Sequence, residues 1–328
     1  PPPRTSREPP RGSRAPPGEM MRFALPDHWV WDSWMADDGT DHHLFFLRAS
    51  RALQDRERRH YRATIGHATS PDGEAWTLTA DALAPSDAPA FDDLATWTGS
   101  VVRGADGLWS MFYTGVSRAE NGLKQRIGRA TSTDLLTWTK DPDLVLEADD
   151  RWYERLGEGT WPDEAWRDPY VFEHAGQWHM LITARAKSGD PEGRAVVGHA
   201  TSDDLSHWHI QPPLSTPAGF GEMEVLQAHT VNGKPILVFS CAPKNTRAHA
   251  GHDAGTWIAE GQSLLGPWKV TDAANVDTAD LYAVQMRRTR DGNWMTWGFD
   301  NSDGPHFGTI SSSSYPPPTD TESSTPTT

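Results

Sequence analysis

Apolar positions in this chain fall in short runs of aromatic and aliphatic side chains broken by Gly, Asp, Ser and Pro. Five such runs stand out: HLFFLRAS from His43, WSMFYTGVS from Trp109, WHMLITARA from Trp178, PILVFSCAP from Pro235 and WMTWGFDNS from Trp294. Their length, their composition and the turn-formers that bound them predict β-strands. The first three are each followed by a segment of the form G-x-A-T-S-x-D-x-x-x-W: GHATSPDGEAW from Gly66, GRATSTDLLTW from Gly128 and GHATSDDLSHW from Gly198. Weaker echoes, IAEGQSLLGPW at 258–268 and GTISSSSY at 308–315, extend the series. Five units of roughly 60 residues suit four short antiparallel strands each, arranged radially. The predicted fold is all-β, a five-bladed β-propeller with a central-channel active site. A β-sandwich would not require a fixed repeat. The T-S-x-D-x-x-x-W segment predicts a polar turn followed by a tryptophan wedged between blades, so Trp76, Trp138 and Trp208 are assigned to structure.

Residues 1–21, rich in proline and arginine, and the Ser/Thr/Pro-rich stretch 313–328 cannot bury a core and are expected to be disordered. The propeller is expected over 22–312. A net charge of −15 disfavours nucleic acid or an anionic membrane as a partner. The one arginine cluster, RERRH at 56–60, reads as a solvated loop. The single cysteine, Cys241, excludes an internal disulfide and a multi-thiolate zinc site. No apolar run approaches the roughly 18 residues of a membrane span, and no signal-peptide core is present; the single cysteine fits the expected cytoplasmic location, with secretion after removal of a leader as the alternative. No cofactor is expected, no metal site is assigned, and HAGHD at 249–253 reads as a polar loop. His42 and His43 read as ordinary polar residues or contacts near the channel rim. Sixteen tryptophans against six tyrosines provide large aromatic faces, for a core or for stacking on sugars.

The candidate chemistry begins at HWVWDSWM, 28–35, where Asp32 stands among Trp29, Trp31 and Trp34. A carboxylate beside so much aromatic surface loses water, which is costly unless hydrogen bonds or a task compensate it. A capped turn is one answer. A place on the innermost strand of a blade, facing the channel, is another. Asp32 precedes the first apolar run by about a dozen residues. Asp168, in WRDPYVF, and Glu224, in GEMEVLQAH, stand in nearly the same relation to the third and fourth runs, so the three acids occupy equivalent sites in different blades.

VWDSW at 30–34, WTGS at 97–100, RDP at 167–169 and the E-x-E followed by NGK at 222–234 resemble the signature segments of glycoside hydrolase family 68, the levansucrase and bacterial fructosyltransferase group. DLYAVQ at 280–285 is similar to a segment of the invertase family 32, which shares its clan. The resemblance runs in order over about 26–310. It implies that Asp32 is a nucleophile, Asp168 a transition-state stabiliser and Glu224 the general acid/base, with Glu222 a supporting carboxylate. Trp31, Trp97, Ser100, Arg167 and Tyr282 would bind substrate. The implied partners are sucrose or another fructoside as donor and water or a sugar as acceptor.

The chemistry asks for these residue types. Cleaving a ketoside develops an oxocarbenium-like cation, which an ionised Asp32 can trap as a covalent fructosyl-enzyme, with retention and a carboxylate separation of roughly 5 Å. Glu224 must arrive protonated, and two carboxylates nearby should raise its pKa. Two features depart from the pattern. Val225 and Leu226 follow Glu224 where family members carry arginine and proline, and the C-terminal β-sandwich expected of family 32 is not in the chain. Two other readings compete: an inverting arabinofuranosidase or xylosidase like those of family 43, and a non-catalytic carbohydrate-binding propeller.

Overall fold

The computed structural model describes residues 21–159, 161–246, 255–278 and 280–312. The HAGHD segment, the tail and all of the extension except Met21 lie outside these residues. Met21 is buried; its carbonyl accepts from Ser312 N at 3.0 Å and its N donates to Ser312 Oγ at 3.3 Å.

The apolar runs become the second strand of each blade, and the G-x-A-T-S segments the third. A two-residue strand, β1 (Arg22–Phe23), comes first in the chain. Blade I follows as β2 (His28–Asp37), β3 (His42–Ser50), β4 (Thr64–Ser70) and β5 (Thr77–Leu78). Blade II is β6 (Ala95–Arg103), β7 (Trp109–Val116), β8 (Gln125–Ser132) and β9 (Thr139–Leu146). Blade III is β10 (Trp166–His174), β11 (Gln177–Arg185), β12 (Ala195–Ser202) and β13 (His209–Gln211). Blade IV is β14 (Glu224–Val231), β15 (Lys234–Cys241), β16 (Gly255–Glu260) and β17 (Ala274–Val276). Blade V is β18 (Leu281–Arg288), β19 (Trp294–Asp300) and β20 (Ile310–Ser312), with β1 returning as its outer strand. Every ladder in the five sheets is antiparallel, and the architecture is the five-bladed β-propeller expected from the repeat.

The repeated turn is polar because its backbone donors are met locally. Ser70 Oγ accepts from Gly73 N at 2.9 Å, and Asp72 Oδ1 accepts from Glu74 N at 2.9 Å and Ala75 N at 3.0 Å. Ser132 with Asp134, and Ser202 with Asp204, repeat the arrangement in blades II and III. The tryptophan that follows is wedged between blades as the repeat predicts. Trp138 of blade II meets the Phe45 ring of blade I edge-on at 5.7 Å, and Trp208 of blade III meets Phe112 of blade II at 5.2 Å. Trp76 is buried in the core around blade I.

Each innermost strand carries a β-bulge at the same level: between Trp31 and Ser33, Trp97 and Gly99, Arg167 and Tyr170, Glu224 and Gln227, and Tyr282 and Gln285. A bulge leaves residues out of the ladder and re-aims their side chains. In blades III, IV and V it places Asp168, Val225 and Ala283 at φ of 57°, 54° and 50°, a left-handed conformation that side-chain-bearing residues seldom adopt. In blade II the bulge brings the β6 backbone so close to β7 that a Cβ at Gly99 would collide with the Phe112 carbonyl, which accounts for the glycine of WTGS.

Candidate active site

At one end of the channel the bulged segments of all five inner strands border a cavity of about 530 Å³. Asp32 lies within blade I's bulge, and its Oδ2 accepts a short hydrogen bond from Thr98 Oγ1 of blade II. Burial pushes the Asp32 carboxyl up to about 6; the Thr98 bond and the Arg59 charge oppose that rise, while Glu224 adds to it.

Asp168 is 6% exposed. Its strained backbone is held by Asp168 N donating to Thr114 Oγ1 at 3.0 Å. Its Oδ2 accepts from Thr183 Oγ1 at 3.0 Å and from Val225 N at 3.3 Å, with Arg167 Nε at 3.6 Å. Burial, reinforced by the charges of Asp32 and Glu224, outweighs Arg167 and raises this carboxyl to about 7.

Arg167 joins the acids of blades III and IV. Its Nη2 donates to Glu222 Oε1 at 2.7 Å and to Glu224 Oε1 at 2.9 Å, and its Nη1 donates to Gln125 Oε1 at 3.2 Å. Burial works against the Glu222 anion, yet the charge and hydrogen bonds of Arg167 hold its pKa below the ordinary carboxylate value. The second Glu222 oxygen accepts from Asn245 Nδ2 at 3.0 Å. Tyr282 of blade V donates a short hydrogen bond to Glu224 Oε2, and burial together with the Glu224 charge keeps that hydroxyl protonated. Trp97 faces the cavity and is fixed by Nε1 donating to His60 O at 2.6 Å.

Asp32, Asp168, Glu224, Glu222, Arg167, Trp31, Trp97 and Tyr282 therefore share one cavity, whereas Ser100 does not. Ser100 stands two residues beyond the bulged Thr98, one strand repeat further down the channel, where its Oγ accepts from Val171 N at 3.1 Å. The hydroxyl of that strand that enters the site is Thr98. Nor do all three tryptophans wall Asp32. Trp31 does, Trp34 faces a second cavity towards the other end of the channel, and Trp29 packs against Gly308. His43 is buried and stacked on His67 with ring centres 5.1 Å apart, inside blade I and away from any rim.

The RERRH cluster is not a solvated loop. Residues Arg56–Arg62 form a 3₁₀ helix capped by Asp55, Arg59 is 6% exposed, and Arg59 and His60 line the cavity. Charge density suggested solvent, but aromatic faces on both sides of the guanidinium allow it to be buried. Gln125, Asn245, Thr98 and Asp163 are further cavity residues with no distinguishing signal in the sequence. Among the described residues no group of three His, Cys, Asp or Glu side chains is arranged to hold a metal ion.

Residues 34–308 match the family described as "Glycosyl hydrolases family 32 N-terminal domain". A curated relative, the sucrose-6-phosphate hydrolase of Bacillus subtilis (strain 168), is 33% identical over 183 residues, 53% of this chain and 34% of that protein. The probable sucrose-6-phosphate hydrolase of Vibrio cholerae is 30% identical over 250 residues, 71% of this chain and 41% of that protein. The chain thus spans less than half the length of these relatives. Among solved structures, inulosucrase from Halalkalicoccus jeotgali bound to kestose superposes with a TM-score of 0.71 at 24% identity, covering 88% of this chain and 79% of that one. Bacillus subtilis levansucrase gives 0.68 at 18% identity, covering 88% and 83%. At these identities the two structures speak for the propeller fold alone. The assignment to family 68 is corrected accordingly, and the family 43 reading falls with it. Of the segments that suggested family 68, VWDSW, WTGS, RDP and the E-x-E each contribute residues to the cavity, whereas NGK does not. By the match over most of its length, the chain belongs to glycosyl hydrolase family 32, through that family's N-terminal domain.

Proposed function

We propose that the chain is a retaining β-fructofuranosidase that cleaves sucrose or a related fructoside through a covalent fructosyl-enzyme. The observation that carries this reading is the meeting of Asp32, Asp168 and Glu224, from three different blades, around one cavity. Asp32 attacks the anomeric carbon as an anion, and the Thr98 hydroxyl orients the oxygen that it holds. Asp168 lies buried close to both other acids, and an oxocarbenium-like cation in that position favours its ionised form. Glu224 gives its proton to the leaving oxygen, then takes one from the water that opens the intermediate.

Arg167 donates to both glutamates, but Asn245 and Trp161 stabilise the anion of Glu222 alone, which makes Glu222 the less suitable acid. Its part is to hold Arg167 in place. The curated relatives are named as hydrolases and, in Escherichia coli, a raffinose invertase, which favours water as the acceptor. A phosphorylated donor is the second reading: four relatives are named sucrose-6-phosphate hydrolases, and Lys244 lines the cavity beside Asn245.

The deciding experiment is a time course of free glucose and fructose released from sucrose and from sucrose 6-phosphate, with Asp32→Ala alongside. Equal release abolished by the substitution is expected. Glucose in excess of fructose would mean transfer to a sugar, and release that survives in Asp32→Ala would remove the nucleophile assignment.

A further inference from the structure

Among the described residues, the buried cation of this cavity that no motif explains is Arg59. Its 3₁₀ helix follows β3 and is tied to blade V, with Arg56 Nη2 donating to Asp303 Oδ1 at 2.6 Å and the Arg56 guanidinium 4.7 Å from the Phe307 ring centre. Arg59 is thereby inserted between the Trp31 ring, 5.3 Å away, and the Phe307 ring, 5.0 Å away. Nη1 donates to Arg56 O at 2.9 Å, while Nε is buried without a hydrogen-bond partner. The carboxylate within ion-pair reach is Glu57, at 3.5 Å, and that side chain is 71% exposed. A guanidinium buried this deeply with so little direct compensation is costly, so another negative charge is expected to face it.

The charges around the cavity identify that group. Arg167 is shared among Glu222, Glu224 and Asp168, so its charge is balanced on the side of blades III and IV. Asp32 faces the Thr98 hydroxyl from blade II, Asp168 from blade III and Glu224 from blade IV. The Tyr282 hydroxyl of blade V is protonated, and burial lowers His60 to about 3, so both are neutral. Arg59 lines the same cavity as Asp32 and lies over the ring of Trp31, the residue before Asp32, so it is the cation on the Asp32 side, where the two charges favour each other's ionised form.

We infer that Arg59 is a positioning residue for the glycosidic reaction, whose guanidinium clamps Trp31 and supplies the positive charge facing Asp32. The inference rests on the reading of Asp32 as nucleophile. It reaches a residue whose place in the chain looks like surface, and it gives the arginine cluster a task.

The test is the pH dependence of kcat and KM for sucrose hydrolysis in the wild-type chain, Arg59→Gln, Arg59→Lys and Asp32→Asn. In Arg59→Gln the acidic limb of kcat/KM is expected to move upward by about one pH unit, a loss of about tenfold in kcat/KM at pH 5 that narrows towards pH 8. Arg59→Lys keeps the charge and loses the flat face on the indole, so its limb stays while kcat falls several-fold. A wild-type limb in Arg59→Gln, or a loss uniform across pH, would overturn the inference. If Arg59→Gln does not fold, Arg59→Lys decides alone, since a shifted limb or an unchanged kcat in that variant contradicts the role. Activity retained in Asp32→Asn would instead overturn the nucleophile reading on which the inference stands.

Discussion

Thr98 contributes a single hydroxyl to the cavity, and its bond to Asp32 favours the carboxylate anion that burial disfavours. On the proposed reading of Asp32 as nucleophile, with its carboxyl raised to about 6, kcat/KM for the fructoside should fall as the pH drops below that value, because the protonated acid would not attack. Thr98→Val removes the bond to the anion and should move this limb upward by about one pH unit, leaving the rate at pH 8 little changed. A limb that stays in place would assign it to another member of the carboxylate cluster, whose titrations are coupled. The same burial has a stability consequence. From the ordinary value of 3.8 up to about 6, the folded chain retains a proton on Asp32 that the unfolded chain releases, so stability falls as the pH rises through that window and stays lower above it. Asp32→Asn should therefore be more stable than the wild type by about 3 kcal/mol at pH 8, with the difference fading towards pH 4. Guanidinium unfolding midpoints at the two pH values check this. Asp32, Asp168 and Glu224 could be found in the sequence because a carboxylate in a distinctive motif is rare. Thr98 and Asn245 could not, since a lone hydroxyl or amide acquires its meaning from the blade opposite.

The inner strands show why strand-level reading succeeded for the fold and slipped within the site. The repeat lies on β4, β8 and β12, where its Ser and Asp make the same turn three times, so three blades could be read directly and the apolar runs at 235 and 294 supplied the other two. The site lies on β2, β6, β10, β14 and β18, which share no such sequence and are alike only in their bulges. The resemblance at WTGS pointed to Ser100, but the bulge between Trp97 and Gly99 turns Thr98 into the cavity, and Ser100 lies one strand repeat further along β6. The tryptophans after the turns belong to packing. Trp138→Ala would remove the edge-on contact with Phe45 across the seam between blades I and II and should cost about 3 kcal/mol. KM and kcat should be unchanged at a temperature where the variant is folded, because Trp138 does not line the cavity. A change in kcat larger than about twofold would mean that the seam transmits strain to Asp32.

A propeller must join its last blade to its first, and here the chain does so with two residues. β1 pairs with β20, Arg22 opposite Ser311 and Phe23 opposite Ile310, so the beginning of the propeller completes the sheet of blade V. Phe23 also reaches the neighbouring blade, its ring 4.7 Å from Phe46 of β3. Further bonds cross the same seam: Val30 N to Gly308 O at 3.1 Å, Trp297 Nε1 to Ser33 Oγ at 3.1 Å, and Arg290 to Asp37 at 2.8 Å. Asp32 lies on the blade I side of this seam and Tyr282, which holds Glu224, on the blade V side. The seam is therefore a closure of the ring and also a wall of the candidate active site. Phe23→Ala leaves the ladder bonds of β1 intact while removing a buried aromatic ring, a loss of about 3 kcal/mol. If the ring opens as one cooperative unit, thermal inactivation of fructoside cleavage and the loss of tryptophan fluorescence should shift down together in this variant, by several degrees. Inactivation well below the fluorescence transition would show instead that the seam between blades I and V opens locally, separating Asp32 from Glu224 before the other blades unfold.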